Sequence, residues 1–289
     1  SIQAELNPPY DLSDCLDMGV IKFLNRHLNL TDAQFDWLTT DPNIPNMIAI
    51  IRFIEDNKNQ DYNVPQEVSD FSQQAVQALM NDPSVPTQNL VDVLNGQLVV
   101  EAPDVPITDM VDFLSCIDTS MPAELTIYAD QPVANSLWPA NFQTKSPGHA
   151  FVGITQGANT VVFGFYPQSA LPSIIATPGN IGNDQNHSAD ASISINISPG
   201  DLTNIINYAQ VIPPTYNLHL FNCTDYAIAI GNLGGLDLPN CEVFLPGGVV
   251  PFASTPSALG QYIKNYTSTS IITANPNPTT APSQSGSCN

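Results

Sequence analysis

Positive charge is what this chain has least of: 6 Lys+Arg stand against 27 Asp+Glu, a formal net charge of −21 over 289 residues. Without a basic stripe to neutralise phosphates, nucleic acid is excluded as a partner. Docking on anionic lipid is disfavoured for the same reason. Long apolar runs are missing too. No stretch approaches the roughly 18 apolar residues of a spanning helix, which argues against stable membrane insertion. No Cys-x-x-Cys and no Cys/His cluster has zinc-ligand spacing, so no metal and no other cofactor is expected. Charged residues make up only 11% of the chain. Its polarity comes instead from Asn, Gln, Ser and Thr, a surface style that points to a secreted, periplasmic or cell-surface protein. The four Asn-x-Ser/Thr sequons at Asn29, Asn186, Asn222 and Asn265 add little in so Asn-rich a chain.

Cysteine is present but odd in number: Cys15, Cys116, Cys223, Cys241 and Cys288. An odd count in an exported chain leaves one thiol over, and Cys223 is the natural one. The other four are expected to pair as Cys15–Cys116 and Cys241–Cys288, although four cysteines allow three pairings.

Residues 1–120 read as a bundle of short helices punctuated by Pro and Asp. Leu16, Val20, Phe23, Leu24 and Leu28 recur at helical spacing over 12–28. Thr31 and Gln34 form a capping-box pattern that opens a helix to Trp37. Pro45 and Pro65 stand at first-turn positions of helices over 47–57 and 66–80. Two more are predicted over 88–94 and 108–117. From 121 to 268 the pattern changes to α+β. Strands are predicted over 125–128, 149–154, 160–166, 192–197 and 216–220, the second and third joined as a hairpin around Gly157. Ser198-Pro199-Gly200-Asp201 opens a helix over 202–210. Residues 167–189 are expected to be a long lid or pocket rim. The Pro/Thr/Ser-rich tail, 269–289, is expected to be disordered apart from Cys288.

The chemistry concentrates in two motifs. In HLFNCTDYAIAIGNLGG an apolar strand runs into an apolar helix with Cys223 at its tip. There the positive end of the helix dipole favours thiolate. In SPGHAFVGITQGANTVVFGFYP, His149 opens a strand. A Cys on a helix tip and a His at a strand start are the two parts of a nucleophile–base pair. Against this stands the plain alternative of a buried structural Cys and an unrelated strand His.

GHAFVGI, followed by a second strand and then by NCTDYA at a helix start, resembles the circularly permuted branch of the NlpC-type papain-like cysteine peptidases. There the His strand precedes the Cys helix. The likeness covers roughly residues 120–265. It implies a papain-like domain, an antiparallel sheet with the nucleophile helix packed on it, behind an accessory helical domain. It also implies that Cys223 is the nucleophile and His149 the general base. One element departs from the family pattern. Relatives carry a polar residue on the strand after the His to orient its ring, whereas TVVFGFY offers apolar residues or Gly. Candidate orienters are therefore Tyr166 and Gln168 at the far end of that strand, or His187 or Asp190 if their loop folds back. Asp225 reads as a helix-N-terminal acid, or as a ligand for a substrate amine of the kind related peptidases recognise. Tyr226 and Trp138 read as pocket wall or core, and Gly148 as a gap for substrate backbone or a turn residue. His219 is expected at the surface or behind the site.

The resulting expectation is an extracytoplasmic bacterial cysteine hydrolase acting on amide bonds, with peptidoglycan stem peptides as the substrate class that the resemblance implies. It would serve as a remodelling enzyme or as an effector, and the helical domain would be available to a protein partner. Two alternatives stay open: a lipid acyltransferase or thioesterase on the same dyad, and a catalytically inert binding module.

Overall fold

A computed structural model describes residues 18–172, 176–248 and 250–288. The chain divides into two compact units, one up to Leu94 and one from Asn95 onward. Among the described residues the first holds five α-helices: α1 (Met18–His27), α2 (Asp32–Leu38), α3 (Ile44–Asp56), α4 (Gln66–Asn81) and α5 (Thr87–Leu94). Thr31 and Gln34 form the reciprocal capping box at α2 that their spacing predicts. The apolar positions of each helix turn inward, so Leu24, Leu38, Ile50, Ile54, Val76, Leu79 and Leu90 are buried. Phe53 of α3 meets Phe71 of α4 with ring centroids 5.7 Å apart.

The second unit is built on a seven-stranded antiparallel sheet with helices packed on it. Its strands are β1 (Ala123–Asp130), β2 (His149–Gln156), β3 (Asn159–Pro167), β4 (Thr177–Asn183), β5 (Ala191–Ile197), β6 (Thr215–Tyr216) and β7 (Ile272–Asn275). They lie in the order β7-β5-β1-β2-β3-β4-β6. The central three are mostly apolar and are buried along most of their length. A central strand covered on both sides carries that composition. A short helix, α6 (Met110–Leu114), precedes the sheet; α7 (Pro199–Ala209), α8 (Cys223–Leu233) and α9 (Pro256–Asn265) follow. Helix α8 packs on β1, β2 and β3, α7 packs on α8, and α9 lies against β1, β5 and β7. Residues 95–122 belong with the sheet: Ile107 N–H donates to Ile181 O and Asn183 N–H to Val105 O, at 2.8 and 2.9 Å.

Several expectations from sequence need correction. The segment 167–189 is more than a loop, because Thr177–Asn183 forms β4 beside β3. Its Pro, Gly and Asn content hides it, since these residues have low strand propensity. Residues 217–221 are a turn rather than strand: Asn217 Oδ1 accepts from the N–H groups of His219 and Leu220, which ends β6 early. Of the two places expected for His219, its burial excludes the surface, and Gly248 stands against its ring. Through Cys288 the tail is ordered. It supplies β7, pairs Thr279–Thr280 with Ser188–Ala189, and bridges Ser285 to Thr160.

That path overturns the expected disulfides. The tail carries Cys288 to Cys116, with Cα atoms 5.0 Å apart, and these two are bonded. Cys241 is left as a buried free thiol near Pro239 O, and Cys223 is free as well. Cys15 lies outside the described residues. The bridge closes a sequence separation of 172 residues. A long closed loop restricts the unfolded chain strongly, so Cys116→Ser is expected to destabilise the second unit by roughly 2–5 kcal/mol. Cys241→Ser should move the midpoint far less. Urea unfolding of both variants followed by circular dichroism tests this; equal shifts would contradict it.

Candidate active site

Helix α8 starts where it does because Asn222 caps it twice. Its Oδ1 accepts from the N–H groups of Thr224 and Asp225, and the Asp225 carboxylate accepts from the Asn222 N–H at 2.9 Å. Asn222 Nδ2 also donates to Leu218 O and Ser254 O, at 2.8 and 2.9 Å, which ties the entering turn to the segment before α9. Cys223 is thus fixed as the first residue of the helix, at the positive end of its dipole.

His149 is the first residue of β2. Gly148, just before it, has φ +79°, and a Cβ there would lie 2.4 Å from Asp130 O. Only glycine fits that approach. The β2–β3 ladder ends at Phe151 opposite Gly164, so the two strands part before reaching His149. Into this gap comes the sulfur of Cys223. It is hydrogen-bonded by the imidazole of His149 and by the backbone N–H of Ala150. The buried hydroxyl of Tyr216, on β6, stands 4.0 Å from the same sulfur.

The imidazole is held from its other side. Nε2 lies 3.1 Å from Oδ2 of Asp184, a residue just past the end of β4. A carboxylate only accepts, so Nε2 carries the hydrogen and Nδ1 is left for the thiol. Tyr166 donates its hydroxyl hydrogen to the second Asp184 oxygen, and its ring lies 4.3 Å from the imidazole centroid. His187 meets His149 edge-on at 5.4 Å and pairs with Asp130 at 3.5 Å.

The electrostatics follow from these contacts. Burial of His149 disfavours its charged form, but the charge and hydrogen bond of Asp184, joined by those of Cys223, outweigh it and raise the imidazole to about 10. Burial pushes the Cys223 thiol up. The hydrogen bond and charge of His149 oppose this, helped by Ala150 N–H and Tyr216, and leave it below its ordinary value. The favoured state is thiolate beside imidazolium. The Tyr166 and Tyr216 phenols are raised, first by burial and then by the neighbouring Asp184 and Cys223 charges respectively, and so remain protonated donors.

A cavity of about 400 Å³ opens on this group. His149, Cys223, Tyr166, Tyr216, Gly148, Asp184 and His187 all line it. The other residues singled out from sequence lie elsewhere. Asp225 is occupied by the cap of α8, and Tyr226 is buried between Phe165 and Tyr208. Trp138 is buried against Phe142. Gln168 sits in the bend after β3, its N–H on Pro178 O, and the Asp190 carboxylate accepts from Gln131 N–H at 2.8 Å. Two residues escape the sequence reading. Asp184 lies inside a stretch that reads as loop; once β4 is known to flank β3, its end is the place to look. Tyr216 reads only as the start of a strand. Among the described residues no group of His, Cys, Asp and Glu is arranged to hold a metal ion.

Comparison with known proteins found no matching family model, no matching curated protein and no matching solved structure. The geometry itself defines what the site can do: a buried thiolate and a carboxylate-held imidazolium at the floor of a cavity are equipped for nucleophilic attack and general acid–base transfer.

The ion pair spans the range from the lowered thiol value up to about pH 10. Alkylation of Cys223 by iodoacetamide should therefore begin at lower pH than it would without the imidazole. In His149→Ala the main opposing influence is gone and burial prevails, so the rise should move above about 8.5. Superimposable profiles would contradict the pairing.

Proposed function

We propose that the second unit is a cysteine hydrolase that cleaves amide bonds through a thioacyl enzyme, with a permuted papain-like arrangement of its dyad. The observation that carries this reading is the contact of Cys223, at the tip of α8, with an imidazole fixed by Asp184. The Cys223 thiolate attacks the carbonyl carbon, and the carbonyl electrons move to oxygen. Collapse of the tetrahedral intermediate breaks the C–N bond as imidazolium His149 gives its proton to the departing nitrogen. Neutral His149 then takes a proton from water, the resulting hydroxide attacks the thioester, and the acid product leaves with thiolate and imidazolium restored.

Tyr216 supports the oxyanion step. Its hydroxyl oxygen accepts from the Cys223 backbone N–H while its O–H points toward the sulfur, so the phenol is a donor fixed beside the reacting atoms. Asp184 and Tyr166 act through His149, holding its ring and its charge.

The substrate class comes from the resemblance of GHAFVGI and NCTDYA to permuted NlpC-type enzymes: amide bonds of peptidoglycan stem peptides, met outside the bacterial cytoplasm. The Cys116–Cys288 bridge suits an oxidising compartment. No helix among the described residues is long and apolar enough to cross a membrane.

Hydrolysis of purified muropeptides, followed by chromatography and mass spectrometry, tests the reading. Cys223→Ala should abolish turnover, and Tyr216→Phe should lower kcat about 10²-fold. Wild-type activity should fall on the acid side as the thiolate is lost and again through about pH 10 as the imidazolium deprotonates. Turnover that survives Cys223→Ala would rule the mechanism out. A lasting acyl adduct on Cys223 from a lipid ester, with muropeptides untouched, would replace hydrolysis by acyl transfer.

A further inference from the structure

Gly164 of β3 and Gly182 of β4 face each other as one cross-strand pair. Glycine inside a strand weakens it and leaves nothing to pack, so two in register call for a reason. Backbone conformation is not that reason, because neither has a positive φ. Space is. A Cβ at position 164 would lie 2.2 Å from Asp184 Oδ2 and 2.6 Å from His149 Nε2. These are the two atoms that meet at 3.1 Å in the site. A Cβ at position 182 would lie 2.8 Å from the Tyr166 ring and 2.5 Å from Pro103 Cβ. The paired glycines form a trough in the sheet face, and imidazole, carboxylate and phenol lie in it.

The route of the carboxylate explains why the trough is needed. The Asp184 N–H is bound to Val162 O, two residues before Gly164 on β3. From there its side chain runs over position 164 to reach Nε2. The atoms that an added methyl would strike are the ends of side chains, which can move aside. Moving them aside breaks the contact that holds the imidazole.

We propose that Gly164 is a positioning residue of the dyad: the side chain missing from this position is what admits Asp184 to His149, and Gly182 gives Tyr166 its place beside them. The proposal rests on the reading of Cys223 and His149 as a working pair. It assigns a function to a residue that bears no chemistry of its own.

Four proteins test it: wild type, Gly164→Ala, Asp184→Ala and the double variant, each compared by the pH profile of Cys223 alkylation and by thermal unfolding. The other groups around the imidazole, namely Cys223, Tyr166, Tyr216 and the His187–Asp130 pair, are common to all four. Each single change should raise the onset of thiolate reactivity by about one pH unit or more. The double variant should go no further than Asp184→Ala, because once the carboxylate is gone the methyl has nothing left to displace. A Gly164→Ala profile on top of the wild type, or a shift that adds fully to that of Asp184→Ala, would overturn the proposal while leaving the dyad intact. An Asp184→Ala profile equal to wild type would remove the orienting role of Asp184, a separate failure that ends the proposal as well. Should Gly164→Ala fail to fold while the double variant folds, the conflict with the carboxylate is demonstrated directly. If neither folds, the strand itself demands glycine and the proposal falls.

Discussion

An imidazole taken out of water loses its proton unless something nearby replaces the lost solvation. At His149 that replacement is the carboxylate of Asp184, 3.1 Å from Nε2. The rest of the site depends on this contact. It fixes the tautomer, turns Nδ1 toward the thiol, and keeps the ring charged enough to hold a thiolate in a pocket that would otherwise favour neutral sulfur. Tyr166 binds the carboxylate oxygen that His149 leaves free, so the carboxylate is paired at both ends. A buried charge with one partner is costly; with two donors it becomes a rigid support.

The scaffold serves that contact from two directions. On one side, the cap at Asn222 sets the first turn of α8 and aims Cys223 toward the sheet. On the other, the early end of the β2–β3 ladder parts the strands. The sulfur enters there and finds the N–H of Ala150, which a continued ladder would have engaged. The apolar centre of the sheet keeps this frame stiff, since Leu125, Ile127, Val152 and Phe165 are wholly buried in it. The tail reinforces the far side through Cys288 and the pairing of Ser285 with Thr160, at the start of β3.

Much of this was legible in the residues. Amphipathic spacing and Pro at first turns located α3 and α4, the hairpin signal around Gly157 located β2 and β3, and alternation of polar and apolar residues located β5. Cys223 and His149 stood out because a helix tip and a strand start are where a nucleophile and its base are made. What stayed hidden depended on contacts distant in sequence. Strand β4, TPGNIGN, is held by its neighbours rather than by propensity, so nothing local announced it or placed Asp184 beside the imidazole. His187 drew attention as the ionisable ring of that stretch, yet it turns to Asp130 and touches His149 only edge-on. Asp225 showed the opposite difficulty. Its position two residues after Cys223 fits a helix-N-terminal acid, the plainer reading, as well as a substrate ligand, and the bond to the Asn222 N–H shows the carboxylate engaged at the cap. The pairing of Cys116 with Cys288 was beyond reach for a similar reason, because no pattern in a Pro/Thr/Ser-rich tail tells where it returns.

The central claim is that His149 is an imidazolium at neutral pH. Nitrogen-15 NMR of the His149 ring, assigned by comparison with His149→Gln, reads that state directly. At pH 7 the account predicts both ring nitrogens protonated, with the proton lost only near pH 10. A neutral ring at pH 7, titrating near the ordinary histidine value of about 6.5, would contradict it.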